Sequence, residues 1–94
     1  MAQYTYDAQA KAAYLRLSRD AVAETLDLMP GVYVDVDGTG SVVGIELVDC
    51  PARVPQALVN SIDEALRCRG LTARTPWTPL TALFPSADRP LSTS

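Results

Sequence analysis

Between residues 32 and 48, apolar and polar positions alternate with period two. Val32, Val34 and Val36 alternate with Tyr33, Asp35 and Asp37, and Val43, Ile45 and Leu47 alternate with Gly44, Glu46 and Val48. This spacing predicts two half-buried strands. Asp37-Gly38-Thr39-Gly40 lies between them and tolerates positive φ, so the pair reads as a β-hairpin. A tip of two or four residues keeps the valines in register. Val34 then faces Val43, Val32 faces Ile45, and one side is wholly aliphatic. A tip of three would set Asp35 against Val43 and mix the faces. The expected register leaves Tyr33, Asp35, Val42, Gly44 and Glu46 on the other side, with the Tyr33 ring opposite the bare backbone of Gly44.

Residues 55–69 change to helical spacing. Leu58, Val59, Ile62, Ala65 and Leu66 form an apolar stripe, while Gln56, Asn60, Asp63, Glu64 and Arg67 are polar. Pro55 can open such a helix and Gly70 can cap it, and Asp63 can pair with Arg67 one turn on. The stripe is expected to lie on the aliphatic side of the sheet. Residues 7–29 fit two patterns. One is a single helix with Ala10, Ala13, Tyr14, Leu17 and Ala21 on one side. The other is a strand with Tyr4 and Tyr6, a turn near residues 8–12, a strand with Ala13, Leu15 and Leu17, a turn at 18–20, and a strand from Val22 to Leu28. From Thr72 onward Pro76, Pro79, Pro85 and Pro90 interrupt any regular element, yet Trp77, Leu80, Leu83 and Phe84 are too apolar for a purely solvated tail.

The same hairpin imitates a calcium loop. Asp35, Asp37, Thr39, Gly40 and Glu46 occupy its liganding and turn positions. That motif needs flanking helices, and the β-branched flanks argue for the hairpin instead. Bulk properties narrow the chemistry further. The chain has 94 residues, 8 basic and 11 acidic side chains, a net charge of −3 and no histidine. One domain is expected over residues 1–70, followed by a Pro/Ser/Thr-rich extension over 71–94 that is partly docked. Scattered basic residues argue against nucleic acid or a membrane surface as partners. No window has the apolar length of a membrane span and the N-terminus lacks a signal-peptide plan, so cytoplasm is the default. Cys50 and Cys68 fall near opposite ends of the expected helix, so no disulfide is expected, and neither has a histidine to activate it. No cofactor or metal is expected.

The pattern also carries a resemblance. Tyr6-Asp7, Ala12-Ala13-Tyr14-Leu15-Arg16-Leu17-Ser18, Val22-Ala23-Glu24-Thr25, Pro30-Gly31-Val32, Val34-Asp35, Asp37, Gly40 and Val42-Val43-Gly44-Ile45-Glu46-Leu47 occur in this order. Together they resemble the small bacterial proteins of domain-of-unknown-function family 2283, over about residues 4–49. The resemblance implies an antiparallel meander in which Tyr14-Leu15-Arg16-Leu17 is a strand. The chain departs from the pattern at Lys11, where an acidic residue is usual, and at Ala13, where a larger apolar one is usual.

The expected fold is therefore α+β. A four- to five-stranded antiparallel β-meander carries one helix on one face and a Pro-rich C-terminal extension. Arg16, Asp35 and Glu46 should share the polar face, as a cross-strand ion-pair ladder or, less simply, as acid–base chemistry beside an anion-binding arginine. Tyr6, Tyr14 and Tyr33 should line one side of the sheet, either as amphipathic rings at an interface or as a second small core under the Pro-rich extension. Trp77 and Phe84 in the extension are further candidates for contact with a partner. Resembled proteins are often encoded beside a small toxin-like protein. By analogy this implies a non-enzymatic protein-interaction module, antitoxin-like or regulatory, with a protein partner or a homodimer. The competing expectation is a small-molecule or catalytic site on the Tyr/Arg/Asp face.

Overall fold

The computed structural model describes residues 3–51 and 53–73. Its elements are β1 (Gln3–Asp7), β2 (Ala12–Arg16), β3 (Glu24–Met29), β4 (Val32–Val36), β5 (Ser41–Val48), α1 (Gln56–Cys68) and β6 (Thr72–Ala73). Residues 7–29 thus follow the strand pattern rather than the single helix. The short turn at 8–11 is held by the Asp7 carboxylate, which accepts from the backbone N–H groups of Gln9 (3.0 Å) and Ala10 (3.3 Å). Such local bonds draw the backbone away from helix.

The five antiparallel strands lie in the order β1-β2-β5-β4-β3, and β6 pairs with β5 in parallel. β3, β4 and β5 form the meander proper. The β1–β2 hairpin adds to its free side through β5, so β5 is the central strand. This α+β sheet is the expected one, with a strand order that alternation alone does not specify.

The β4–β5 register differs from the expected one. Asp37 N–H donates to the Ser41 carbonyl (3.0 Å), so the tip is the three residues Gly38, Thr39 and Gly40. Gly40 has φ +86, the left-handed residue that a three-residue hairpin loop uses. Asp37 Oδ1 accepts from Thr39 N–H, Thr39 Oγ1 and Ser41 N–H, which fixes that loop. A tip of three would mix the faces, but an irregularity between Val42 and Gly44 restores them. Val36 pairs with Val42, then Asp35 with Gly44, Val34 with Ile45, Tyr33 with Glu46 and Val32 with Leu47. Two residues of β5 here oppose one of β4, which is a bulge. The bulge moves Val42 to the aliphatic side, contrary to expectation, and sets Tyr33 against Glu46 rather than Gly44.

A second irregularity between Asp27 and Met29 does the same for β3. Leu28 is buried, Met29 packs against the core, and Val22 falls outside the strand and is exposed. The core lies between the aliphatic side of the sheet and α1. Ala13, Leu15, Val32, Val34, Ile45 and Leu47 meet Val59, Ile62 and Leu66 there, with Val54. Each aliphatic side chain so buried contributes about 1.5–3 kcal/mol before the entropy of ordering it. The helix ends where Gly70 suggests. Gly70 N–H donates to the Arg67 carbonyl and Leu71 N–H to the Leu66 carbonyl, the paired bonds of a Schellman cap. Arg67 pairs with Asp63 at 3.4 Å as its spacing predicts.

Candidate functional site

Alternation and register together place the polar side chains. Tyr14 pairs with Glu46, Arg16 with Gly44, Asp35 with Gly44, Tyr33 with Glu46, Thr25 with Asp35 and Asp27 with Tyr33. All of these project from the side of the sheet away from α1. Among the described residues no helix or strand packs on that side. The structure therefore brings Tyr14, Arg16, Tyr33, Asp35 and Glu46 together on one face, as expected.

Tyr6 does not join them. It pairs with Ala13, on the helix side, and its hydroxyl donates to the Cys50 carbonyl at 2.8 Å. Tyr4, opposite Leu15, is on that side too. The three-tyrosine patch is therefore two tyrosines, because strand parity sends even positions of β1 toward α1 and even positions of β2 away from it. Trp77 and Phe84 lie outside the described residues.

Asp35 organises the face. Its Oδ2 accepts from the Tyr14 hydroxyl at 2.8 Å and its Oδ1 from Thr25 Oγ1 at 2.6 Å. This chain of hydrogen bonds runs from β2 over β5 to β4 and β3. It is possible only because β5 carries Gly44 beneath it: a methyl group built there would collide with the Tyr14 hydroxyl and ring. A ring does cover the glycine, as expected, but it belongs to Tyr14. Thr25 was not singled out from sequence. Its signal was available, since it shares a face with Asp35 once β3 is paired with β4.

The expected ion-pair ladder is not what forms. The Asp35 carboxylate is held by two hydroxyls, and Arg16 and Glu46 make no ion pair among the described residues. The Tyr14 phenol is pushed up to about 12, first by burial, then by its bond to the Asp35 carboxylate and the negative charge there. Glu46 adds to this and Arg16 opposes it. The buried Cys50 thiol is also pushed up by burial, while Cys68 is exposed. Cys50 thus lacks the setting that activates a thiol, and the chain has no histidine to serve as a base for either cysteine. The calcium-loop positions are separated: Asp37 is folded into the hairpin tip, while Asp35 and Glu46 stand on the sheet face. Among the described residues no group of three His, Cys, Asp or Glu side chains could hold a metal ion.

Among the described residues, one helix on one side of an antiparallel sheet and polar side chains on the other define the class, a two-layer α+β protein. Residues 3–50, just over half the chain, match the family described as Protein of unknown function (DUF2283), and the chain belongs to that family. The match spans β1 through β5 and ends before α1. No curated protein matches the chain, and no solved structure does.

Proposed function

We propose that this protein is a non-enzymatic interaction module that docks a protein partner on the face carrying Tyr14, Arg16, Tyr33 and Glu46. The observation that carries the reading is the division of labour on that face. Asp35, Tyr14 and Thr25 satisfy one another, while Tyr33, Arg16 and Glu46 are offered outward on a rigid sheet. Tyrosine supplies contact area at low entropic cost, and interfaces are enriched in both tyrosine and arginine. Acid–base catalysis fits less well. A phenol near 12 and a carboxylate already holding two hydroxyls are poorly matched to proton transfer near neutral pH. An antitoxin-like or regulatory role follows from the family's frequent genetic neighbour and rests on analogy alone. Among the described residues no helix is long and apolar enough to cross a membrane. We place the protein's work in the cytoplasm.

The test is co-expression with the product of the adjacent gene, followed by affinity purification of the wild type, Tyr33→Ala and Glu46→Lys. The expected result is a co-purifying partner, with affinity falling roughly thirty-fold in the variants, the scale of an interface hot spot. A partner retained equally by both variants would contradict the reading. A small molecule found by native mass spectrometry, without any protein partner, would favour the ligand-binding alternative.

A further inference from the structure

One cross-strand row on the face away from α1 alternates carboxylate and ring. Asp27 pairs with Tyr33 and Tyr33 with Glu46, so an acidic side chain stands on each side of a tyrosine across three adjacent strands. Paired positions on neighbouring strands lie about 5 Å apart, so Asp27 and Glu46 are separated by roughly 10 Å with Tyr33 midway. Asp27 and Glu46 are exposed and Tyr33 is half-buried. Among the described residues, the side chains of these three take part in no hydrogen bond and no ion pair.

Charge on this face is not balanced from within. Between β2 and β3 it carries Asp27, Asp35 and Glu46 against Arg16. Asp35 is already held by the hydroxyls of Tyr14 and Thr25. Arg16 pairs with Gly44, two residues along β5 from Glu46, and forms no ion pair among the described residues. The two carboxylates beside Tyr33 are thus left without a cation, and Arg16 disfavours a second one on the β2 side of Glu46.

We infer that the row receives a guanidinium group, an arginine side chain of the partner, over the Tyr33 ring between Asp27 and Glu46. A planar guanidinium stacks on an aromatic ring while its edges donate to carboxylates, and the more strongly hydrated ammonium of lysine does neither as well. The inference rests on the partner-docking reading for its choice of face. It adds the chemistry of the partner, a segment that carries arginine rather than an acidic or purely apolar one. Because both carboxylates are exposed, the attraction weakens as salt rises.

The test uses the full chain, isotope-labelled, titrated at low salt with acetyl-arginine-amide and followed by backbone amide NMR. The acetyl amides of lysine and of citrulline serve beside it, since citrulline keeps the shape of arginine and removes the charge. Arginine should give saturable shifts centred on residues 27, 33 and 46, lysine weaker ones and citrulline none. Asp27→Asn combined with Glu46→Gln should weaken arginine binding about ten-fold with circular dichroism unchanged. Glu24→Gln, an exposed acid on the helix side of β3, should leave it unchanged. Absence of saturable shifts from arginine would overturn the inference. So would equal shifts from citrulline, lysine bound as tightly as arginine, or undiminished binding by the double variant. Co-purification reads the docking proposal separately. A partner captured through Tyr33 by a chain that ignores the arginine probe removes the guanidinium and leaves docking standing. Arginine binding with no partner captured does the reverse.

Discussion

β4 and β5 present two faces made from the same residues in alternation, and those faces are held by different physics. On one, Val32, Val34, Val42, Ile45 and Leu47 are withdrawn from water against α1. Dispersion and hydrophobic burial hold it, and any aliphatic side chain of suitable volume would serve. On the other, Tyr14, Asp35 and Thr25 are joined by directional bonds over one glycine. That arrangement depends on exact positions and contributes less to stability. Burial decides which way each strand faces, and the second face is then left to polar side chains and directional bonds.

The largest effect that sharpens this contrast is on the aliphatic face. Ile45→Ala should cost about 2–5 kcal/mol, because Ile45 is fully buried and its cavity cannot collapse onto a central strand. Urea or thermal melting checks it, with about 4–8 °C lost per kcal/mol in a domain of this size. Next is Gly44→Ala. The collision with Tyr14 should cost about 1–3 kcal/mol, the scale of overpacking. A double-mutant cycle with Tyr14→Ala should recover most of that cost, since the ring is the obstacle. Full additivity would mean that the glycine is needed for something else.

Tyr14→Phe should cost less, about 1–2 kcal/mol, by removing one donor from a carboxylate that keeps Thr25. It also gives the pH test. The Tyr14 phenol stands near 12 in the folded protein against 10.0 ordinarily, so its contribution is complete below pH 10 and lost as pH rises through 12. Tyr4 is pushed up to about 12 as well, chiefly by burial, and titrates in the same window. Stability should therefore fall between pH 10 and 12, and Tyr14→Phe should flatten part of that fall in an alkaline melting series. The smallest effect is expected for Asp63→Ala. It breaks an exposed helical ion pair worth about 0.3–0.5 kcal/mol, which added salt should erase.

Alternation and helical spacing made most of the fold legible. They located β4, β5, α1, the Gly70 cap and the Asp63–Arg67 pair, because each is a local pattern. Residues 7–29 were not settled by pattern, since an alanine- and leucine-rich run satisfies both periods. The family resemblance decided for strands. The register error arose because a three-residue tip and a bulge cancel each other, and single-strand periodicity carries no sign of such a cancellation. The side that Tyr6 takes is hidden from single-strand periodicity for a related reason. Which face a residue takes depends on the pairing of β1 with β2, a relation between strands. Alternation is enough to put Tyr14, Arg16, Tyr33, Asp35 and Glu46 on a common face, which they share. It does not give their bonding, because the choice of hydroxyl over guanidinium at Asp35 depends on side-chain distances.

Docking of another protein on the face away from α1 is the central proposal. Replacing Tyr33 with photoreactive p-benzoylphenylalanine and irradiating cells tests it directly, with the same replacement at exposed Val22 as control. The account predicts one discrete adduct with a second protein from position 33 and none from position 22. No adduct from position 33, or the same adducts from both positions, would contradict it.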